Sequence, residues 1–402
     1  MGSSFYWNGQ MYANFPQNRD FQMIRKFAEA NKEGKSDKEY FQKLVDSWSE
    51  ETHDLDFNYN KAHILNGGGD SHFDAVVPYT NLRGDVTYIP EWRTFQDEWS
   101  WKPSGKRVTD KDRKKGSTDF ATAPVRSRQD FLLYYYKKFF ESGFDGIYWD
   151  NIYLQSCFSP LMGPAYIRED RQLQPYVDIF HSRELLKRAA VLARQLEKVN
   201  VNMVHMTNTN IVPEYSFAGM LLGWEWRYGM TDFQDRFSPD YIRAVNLPFN
   251  TGCVPVQLGG IRGSDDKEAI AWCERTRAGV TLVHELQVWG PCALDMKIRN
   301  MLAEFGCGTD RVATHRYWDI APVVQAADSI KWIVFSRSGK AVMVFCDYGE
   351  GGYYRTELDS RRLSLPANAK TTDWETGEAV PLSNGQLSFT LKKHDFKVVV
   401  VE

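Results

Sequence analysis

The 402-residue sequence lacks several features that would mark a well-defined class of protein. No uninterrupted apolar stretch approaches the roughly 20 residues that a membrane-spanning helix needs. No Cys-x-x-Cys pair of the kind that holds structural zinc occurs, and no Gly-rich phosphate loop follows a predicted strand. The net charge is only −3, which gives no electrostatic reason to bind nucleic acid. We therefore expect no membrane, no nucleic acid, no cofactor and no metal ion as a partner.

The sequence start and the cysteines give no sign of secretion. Neither a basic segment nor an apolar segment follows Met1-Gly-Ser-Ser4, so no signal peptide is visible. A removed signal would make the protein secreted or periplasmic, and otherwise it would be cytoplasmic. The six cysteines lie far apart in the sequence, which predicts buried free thiols rather than a disulfide framework.

Aromatic residues are abundant. There are 13 Trp, 20 Tyr and 24 Phe, together 14% of the chain. Most of them must fill the core, but Trp and Tyr also offer flat apolar faces that suit the C–H faces of sugar rings. The composition therefore slightly favours a carbohydrate as partner.

The middle of the chain alternates short apolar strands with amphipathic helices. This alternation predicts a parallel sheet covered by helices, and we interpret it as an α/β fold, a (β/α)8 TIM-like barrel over residues 1–316. Two further strands are expected in the irregular first 70 residues, near Tyr6 and residues 63–65. A doubly wound open sheet is the alternative, although the phosphate loop typical of such sheets is absent. The six predicted strands are 75–80, 146–150, 202–207, 220–224, 245–249 and 281–284, and the predicted helices include 130–140, 182–197 and 266–278.

The pattern changes near the C-terminus. Residues 329–402 alternate apolar and polar side chains, with turn signals such as Ser383-Asn-Gly385 between the runs. This predicts a small antiparallel β-sandwich after a linker at 317–328. Its predicted strands include 331–335, 341–345, 387–391 and 396–400.

Polar residues at the ends of the predicted strands are the candidates for catalysis, because parallel barrels build their active site there. Glycoside hydrolysis needs two carboxyl groups. Asp150 is the candidate nucleophile or charge-stabilising carboxylate, Glu225 the candidate acid/base, and Glu285 its rival. As structural alternatives, Asp150 could cap the following segment, and Glu225 could pair with an arginine. The candidate substrate-binding residues are Asn151, Trp149, Trp224, Trp226, Asn208, Arg227, His284 and Trp99.

One segment carries a family resemblance. Gly143-Phe-Asp-Gly-Ile-Tyr-Trp-Asp150-Asn151 resembles the fourth-strand motif of many glycoside hydrolase barrels. In α-galactosidase-like barrels an Asp at the comparable place is the nucleophile, which implies that role for Asp150. Residues 75–402 also resemble a poorly characterised group related to family 123 glycoside hydrolases. That family uses an Asp-Glu pair together with the acetamide of its substrate. Here the pair is Asp150-Asn151, and Asn cannot donate a proton as Glu does, so a two-carboxylate mechanism fits better.

Three functions follow from these observations. The first is a glycoside hydrolase that acts on an oligo- or polysaccharide. The second is a noncatalytic carbohydrate-binding barrel that keeps the cleft but lacks a working acid. The third is a metal-dependent hydrolase, which would require His205, His284 and a carboxylate to converge. The sugar, the anomer and the oligomeric state are left open.

Overall fold

A computed structural model gives the structure of the chain, which divides into two compact units. The N-terminal unit comprises Ser3–Trp224 and Thr251–Cys253, and the C-terminal unit contains Glu225–Asn250 and Val254–Glu402. The structure describes residues 5–7, 75–77, 79–83, 85–86, 90–100, 118–119, 122–141, 145–154, 156–159, 165–198, 201–205, 211–222, 231–246, 252–258, 265–289 and 292–402. No helix in these described ranges combines the length and the apolar character needed to cross a membrane.

The N-terminal unit is built around parallel strands with helices between them. Its described strands are β1 (Phe5–Trp7), β2 (Ala75–Val77), β3 (Tyr79–Asn81), β4 (Asp85–Val86), β5 (Thr118–Asp119), β6 (Gly146–Asp150), β7 (Ser156–Cys157), β8 (Tyr166–Ile167), β9 (Leu173–Gln174), β10 (Tyr176–Val177), β11 (Val201–His205) and β12 (Met220–Leu222). Its described helices are α1 (Pro90–Trp99), α2 (Arg126–Glu141), α3 (Ile179–Gln195) and α4 (Val212–Tyr215).

Strands β3, β6, β11 and β12 form a parallel sheet in that order. Helix α2 lies between β3 and β6 in the chain, and α3 lies between β6 and β11, so each pair of parallel strands is joined through a helix. The helices bury Leu132, Tyr136 and Leu185 in one cluster with Ile147 and Val204 of the strands. The predicted mixed α/β fold with a parallel sheet is therefore confirmed. A strand near Tyr6 is also present, pairing in parallel with β2, whereas 63–65 lie outside the described residues.

Gly146 explains why β6 and β11 approach so closely at their first pair of residues. A Cβ added to Gly146 would lie 1.9 Å from the carbonyl oxygen of Val201 and 2.5 Å from its carbonyl carbon. Backbone atoms cannot move aside without breaking the ladder between the two strands, in which Val201 pairs with Gly146. The glycine at the start of β6 is thus required by the neighbouring strand and not only by the turn that precedes it.

The C-terminal unit combines a parallel strand pair, helices and two antiparallel sheets. Its described strands are β13 (Val254–Leu258), β14 (Gln287–Trp289), β15 (Ala313–Arg316), β16 (Val324–Gln325), β17 (Ile330–Arg337), β18 (Lys340–Asp347), β19 (Gly351–Leu358), β20 (Thr371–Asp373), β21 (Leu382–Ser383), β22 (Gln386–Lys392) and β23 (Phe396–Val401). Its described helices are α5 (Phe233–Arg236), α6 (Pro239–Asn246), α7 (Lys267–Val283) and α8 (Ala293–Phe305).

The two antiparallel sheets have the orders β15-β17-β18-β23-β20 and β16-β19-β22-β21. One face of the first sheet shares an apolar cluster with the second sheet, through residues such as Phe345 and Phe389. The opposite face packs on α7 and α8, through residues such as Val344 and Leu282. Because both faces of the first sheet are buried, its three central strands, β17, β18 and β23, are mostly apolar. The four predicted C-terminal strands lie within β17, β18, β22 and β23.

The predicted strand at 281–284 is wrong. These residues form the last turn of α7 and its C-cap, His284. Every residue from Thr276 to Val283 is buried, because this half of the helix is covered by α8 and by the first antiparallel sheet. A helix that is buried all round shows no apolar periodicity, and a short apolar run within it cannot be told from a buried strand by its pattern.

The predicted strand at 245–249 is also wrong where the structure describes it. Val245 and Asn246 end α6, in which Ile242 and Asn246 form the buried face four residues apart. The strand that follows is β13, pairing in parallel with β14. The sequence signal for β13 is weak because Pro255 interrupts a run that is otherwise typical of a strand.

The close approach at Gly146 predicts a large steric effect of one methyl group. We expect Gly146→Ala to lower the free energy of unfolding by about 2 kcal/mol or more, because β11 must move. Gly339→Ala is the matched control: its Cβ would meet nothing within 4 Å, so only the strain of φ +75° applies, about 1 kcal/mol. Urea unfolding of both variants measures the difference. Equal losses would show that the contact with Val201 does not constrain the sheet.

Candidate functional site

The carboxyl ends of three parallel strands bring the candidate residues of the N-terminal unit together. Asn81 at the end of β3 pairs with Asp150 at the end of β6. On the other side of β6, Val204 pairs with Trp149, which places His205 beside Asp150. The backbone N–H of Ile152 donates to the carbonyl of His205 at 2.9 Å and extends this pairing beyond the strand end. The sequence-predicted Asp150 therefore lies at the edge where parallel sheets place ligands.

The carboxylate of Asp150 is partly exposed and is held at one oxygen. Its side chain is 15% exposed, and Oδ1 lies 3.1 Å from Nδ1 of His205. The backbone N–H of Asn151 donates to the same oxygen at 2.9 Å. Asn151 adopts φ +59°, a left-handed conformation that Asn tolerates better than most residues. Its N–H donates to the carboxylate, so one role of Asn151 is to hold Asp150.

His205 is buried between Asp150 and Tyr148. The Tyr148 hydroxyl forms a short hydrogen bond with Nδ1, the same ring nitrogen that faces Asp150. Nε2 is buried and has no hydrogen-bond partner in the part of the chain that the structure describes. A proton on Nδ1 satisfies the carboxylate and leaves no N–H without an acceptor, so Nδ1–H is the favoured tautomer. His205 thus presents a donor to Asp150 that favours its charged form.

A second group of charged side chains includes Arg83, which comes two residues after β3. We call Arg83, Asp178 and Glu214 the Arg83 cluster. Arg83 binds Asp178 through both terminal nitrogens, one contact being short and the other 3.1 Å. Glu214 Oε1 lies 4.0 Å from the same guanidinium, and all three side chains are at most 1% exposed. One cation therefore faces two carboxyl groups in a site from which water is excluded.

The charge imbalance appears in the pKa of Glu214. Burial raises that pKa from 4.5 to about 7, with Arg83 opposing the rise and Asp178 adding to it. Asp178 instead accepts the paired hydrogen bonds of Arg83. Within the cluster, Glu214 is therefore the carboxyl group whose charged form is disfavoured by burial, and its pKa lies near neutral pH.

Arg83 joins the Arg83 cluster to the loop that starts at Asp150. Its guanidinium donates to the carbonyl of Tyr153 at 2.6 Å and lies 5.3 Å from the centre of the Tyr153 ring. Asp178 stands at the other end of the same loop, immediately before α3. Arg83 therefore ties together the two ends of the β6–α3 connection. Burial raises the pKa of the Tyr153 hydroxyl, and the charges of Arg83, Asp178 and Asp150 also act on it.

Five of the predicted site residues lie outside the described residues, so their placement stays a prediction. They are Glu225, Trp224, Trp226, Asn208 and Arg227.

Two predicted stacking residues are part of the core. Trp149 is fully buried, contacts the ring of Tyr136 edge-on, and donates its indole N–H to Asn202 at 3.1 Å. Trp99 is fully buried at the end of α1, stacks on Phe95, and donates to Ser127 at 3.0 Å. The assignment of these two residues to substrate binding is therefore wrong: neither ring offers a face to a ligand.

Glu285 and His284 lose the basis of their assignment, because they follow a helix and precede β14 instead of closing a strand. Glu285 forms an ion pair with Arg316, including a short contact. His284 is fully buried, with Nδ1 bound to the carbonyl of Val280 and Nε2 to the hydroxyl of Tyr317, both at 2.8 Å. Neither ring nitrogen is available to a metal or a sugar, so the metal site that required His284 and its role in substrate binding are wrong.

Neither the Arg83 cluster nor the pairing of Tyr148 with His205 is predicted by the sequence. Arg83 and Asp178 are 95 positions apart, and Tyr148 and His205 are 57 apart. Only the parallel pairing of β3, β6 and β11 makes these residues neighbours. The one local hint is that Arg83, Tyr148 and His205 lie within or just after predicted strands, where a charged or polar residue needs a partner.

Comparison with known proteins gives a fold and no close relative. No family model matches the chain, and no curated protein matches its sequence. The structure is similar to a GH27 β-L-arabinopyranosidase from Geobacillus stearothermophilus, with a TM-score of 0.51 and 12% identity over 86% of this chain and 77% of that chain. It is also similar to a maltogenic α-amylase from Thermotoga neapolitana, with a TM-score of 0.50 and 8% identity over 86% and 80%. The chain thus shares its fold with glycoside hydrolases.

The raised pKa of Glu214 predicts how stability depends on pH. Folding favours the protonated form, so the contribution of Glu214 is fully present below pH 4.5 and is lost as pH rises through about 7. We expect the stability of the wild type to fall relative to Glu214→Gln between about pH 5 and 8, by on the order of 3 kcal/mol. Urea unfolding at several pH values measures this. Glu184→Gln, at a side chain 41% exposed on α3, is the matched control and should show no such trend. Parallel pH profiles for the wild type and Glu214→Gln would contradict the assignment.

Proposed function

We propose that this protein is a glycoside hydrolase that acts on an oligo- or polysaccharide through Asp150. The observation that carries the proposal is the Asp150 carboxylate itself. It ends a central parallel strand, is partly exposed, and is fixed at Oδ1 by the Asn151 backbone N–H and by His205. A carboxylate held by two donors at this edge has the charge and the placement that catalysis at an anomeric carbon requires.

Asp150 would act as the anionic member of the catalytic pair. The bond to the leaving sugar breaks with positive charge building on the anomeric carbon, and a fixed carboxylate stabilises that charge or attacks the carbon. The two donors to Oδ1 favour the charged form of the carboxylate and restrict its rotation. Because they are in place before substrate binds, no reorganisation is needed during the reaction.

We propose the proton donor from its position in the sequence. Asn151 cannot donate a proton as an acid, and its backbone already serves Asp150. Glu225 follows β12 by three residues and is the sequence candidate for the acid/base, although it lies outside the described residues. Trp224 and Trp226 flank it in the sequence, and apolar neighbours raise the pKa of a carboxyl group. The substrate-binding candidates that are retained are Trp224, Trp226, Asn208, Arg227 and Asn151.

The shared fold supports this proposal without carrying it. The arabinopyranosidase and the α-amylase are named for cleavage of glycosidic bonds. Folds host many functions, so the choice of chemistry depends on the residues at the site. Here the partly exposed carboxylate stands at the carboxyl end of a parallel strand, where parallel sheets place ligands.

Replacing Asp150 tests the proposal directly. We expect Asp150→Asn to lower kcat/KM by about a thousandfold or more, about 4 kcal/mol of transition-state stabilisation. Initial rates are measured on whichever aryl glycosides and glycans of a broad panel the wild type cleaves. Asp145→Asn, one residue before the other end of the same strand, is the matched control and should keep the wild-type rate.

Two outcomes would overturn the proposal. One is an Asp150→Asn variant that retains most of the activity. The other is a wild type that binds glycans in the panel by calorimetry yet cleaves none of them, which would identify a noncatalytic carbohydrate-binding barrel.

His205 is expected to act by positioning Asp150. His205→Leu removes the Nδ1–H donor, and we expect kcat to fall by about 10- to 100-fold with little change in KM. The acidic limb of the pH–rate profile should move to higher pH, because the carboxylate loses a donor that favours its charged form. His205→Asn places an amide N–H near the position of Nδ1 and should restore most of kcat and the original profile. An unchanged pH profile in His205→Leu would reduce His205 to a packing role.

A further inference from the structure

The C-terminal unit contains a set of metal-ligating side chains that the proposed hydrolase site does not use. Asp232 and Asp235 lie at the start and within the short helix α5, and His394 lies in the turn between β22 and β23. The imidazole is 4% exposed, whereas Asp232 is 21% and Asp235 is 52% exposed. One potential ligand atom from each residue lies within 4.8 Å of the others. The set therefore combines a buried nitrogen donor with two reachable carboxylates.

Asp232 fixes the orientation and the tautomer of His394. Its Oδ2 lies 2.8 Å from Nδ1 of His394, and its Oδ1 accepts the indole N–H of Trp272 at 3.1 Å. A carboxylate at Nδ1 requires the proton on that nitrogen. The other ring nitrogen of a neutral His394, Nε2, then carries a lone pair. This carboxylate–imidazole arrangement is the one that orients histidine ligands in metal sites.

The lone pair of Nε2 faces a second negative group. Asp235 Oδ1 lies 3.5 Å from Nε2. Two acceptors at that distance repel each other unless a positive charge lies between them. Ligands at about 2.0–2.1 Å from a tetrahedral zinc ion are about 3.4 Å apart, so the spacing matches one edge of such a site. The two carboxylates also carry the double negative charge that a divalent cation neutralises.

The backbone around His394 is held firmly. Its N–H donates to Asp347 at 3.0 Å, and its carbonyl accepts the side-chain amide of Gln234 at 2.8 Å. The residue adopts φ +61°, a conformation that costs a non-glycine residue energy and needs such support. Gln234 lies between the two aspartates in the sequence, so the same bond couples α5 to the turn. The ligand is therefore oriented before any ion arrives.

We propose that His394 Nε2 and Asp235 bind a divalent transition-metal ion of the zinc type, with Asp232 positioning the imidazole and water completing the coordination. The nitrogen ligand favours zinc over magnesium or calcium, which prefer all-oxygen sites. Nearby Lys393 binds Glu350 at 2.9 Å, which draws its ammonium towards a third carboxylate. The ion would join α5 to the β22–β23 turn. The proposal does not depend on the hydrolase assignment, because it concerns other residues.

Zinc titration of the full-length protein after dialysis against a chelator tests the site. By calorimetry we expect one equivalent of Zn²⁺ to bind and Mg²⁺ not to bind, and the thermal midpoint should rise with Zn²⁺ concentration. Asp235→Asn should abolish this binding, and since Asp235 is half-exposed the variant keeps its fold. Asp232→Asn should weaken binding at least about tenfold, because the imidazole loses its orienting partner. Asp240→Asn, at a side chain 94% exposed that pairs with Arg243, is the matched control and should bind as the wild type does.

The competing arrangement is a metal-free clasp, in which a doubly protonated His394 bridges the two carboxylates. In that case the thermal midpoint of the wild type would rise on acidification while Zn²⁺ had no effect, and Asp235→Asn would remove the response to acid. That result overturns the proposal. Zinc binding that is unchanged in Asp235→Asn overturns it too, because the ion would then be held elsewhere.

Discussion

The parallel pairing of β6 with its two neighbours is the constraint on which the site of the N-terminal unit depends. Parallel strands run in one direction, so their carboxyl ends share one edge, and the residues there become neighbours whatever their separation in the sequence. Gly146 permits the close approach of β11 at the opposite end of the ladder. The register of β11 against β6 begins with Val201 opposite Gly146 and continues to Val204 opposite Trp149. It therefore places His205 beside Asp150. A shift of β11 by one residue would turn His205 to the other face of the sheet, away from Asp150.

The N-terminal unit holds two carboxyl groups, Asp150 and Glu214, in different electrostatic environments. Asp150 is partly exposed and accepts two N–H donors, so its environment favours the charged form. Glu214 is buried beside a guanidinium that Asp178 already neutralises, so its environment favours the neutral form. The side chains of Asp150 and Glu214 differ in covalent structure by only one methylene group. The distinction comes from which donors the fold supplies and from how much water it excludes.

The sequence predicts the local elements well where periodicity or position is distinctive. Residues 146–150 form the predicted strand, and Asp150 ends it as expected. The C-terminal strands are also found, because alternation and turn signals are short-range properties. Prediction fails at 281–284, where a fully buried helix turn has the same composition as a strand. It fails again for Trp149 and Trp99, since a sequence does not reveal whether an aromatic ring faces the core or a ligand. The Arg83 cluster could not be predicted, because its members meet only through tertiary pairing.

Three buried histidines show that burial by itself does not identify a functional imidazole. His284 binds a backbone carbonyl and a tyrosine hydroxyl, and burial lowers its pKa to about 4, so it stays a neutral core residue. His205 has one carboxylate at Nδ1 and serves that carboxylate. His394 has a carboxylate near each ring nitrogen, which is the arrangement on which the proposed metal site rests. The three histidines differ in what lies at the ring nitrogen other than Nδ1, and the fold determines this. The chemical role of a buried histidine is therefore determined by its pair of partners rather than by its exposure.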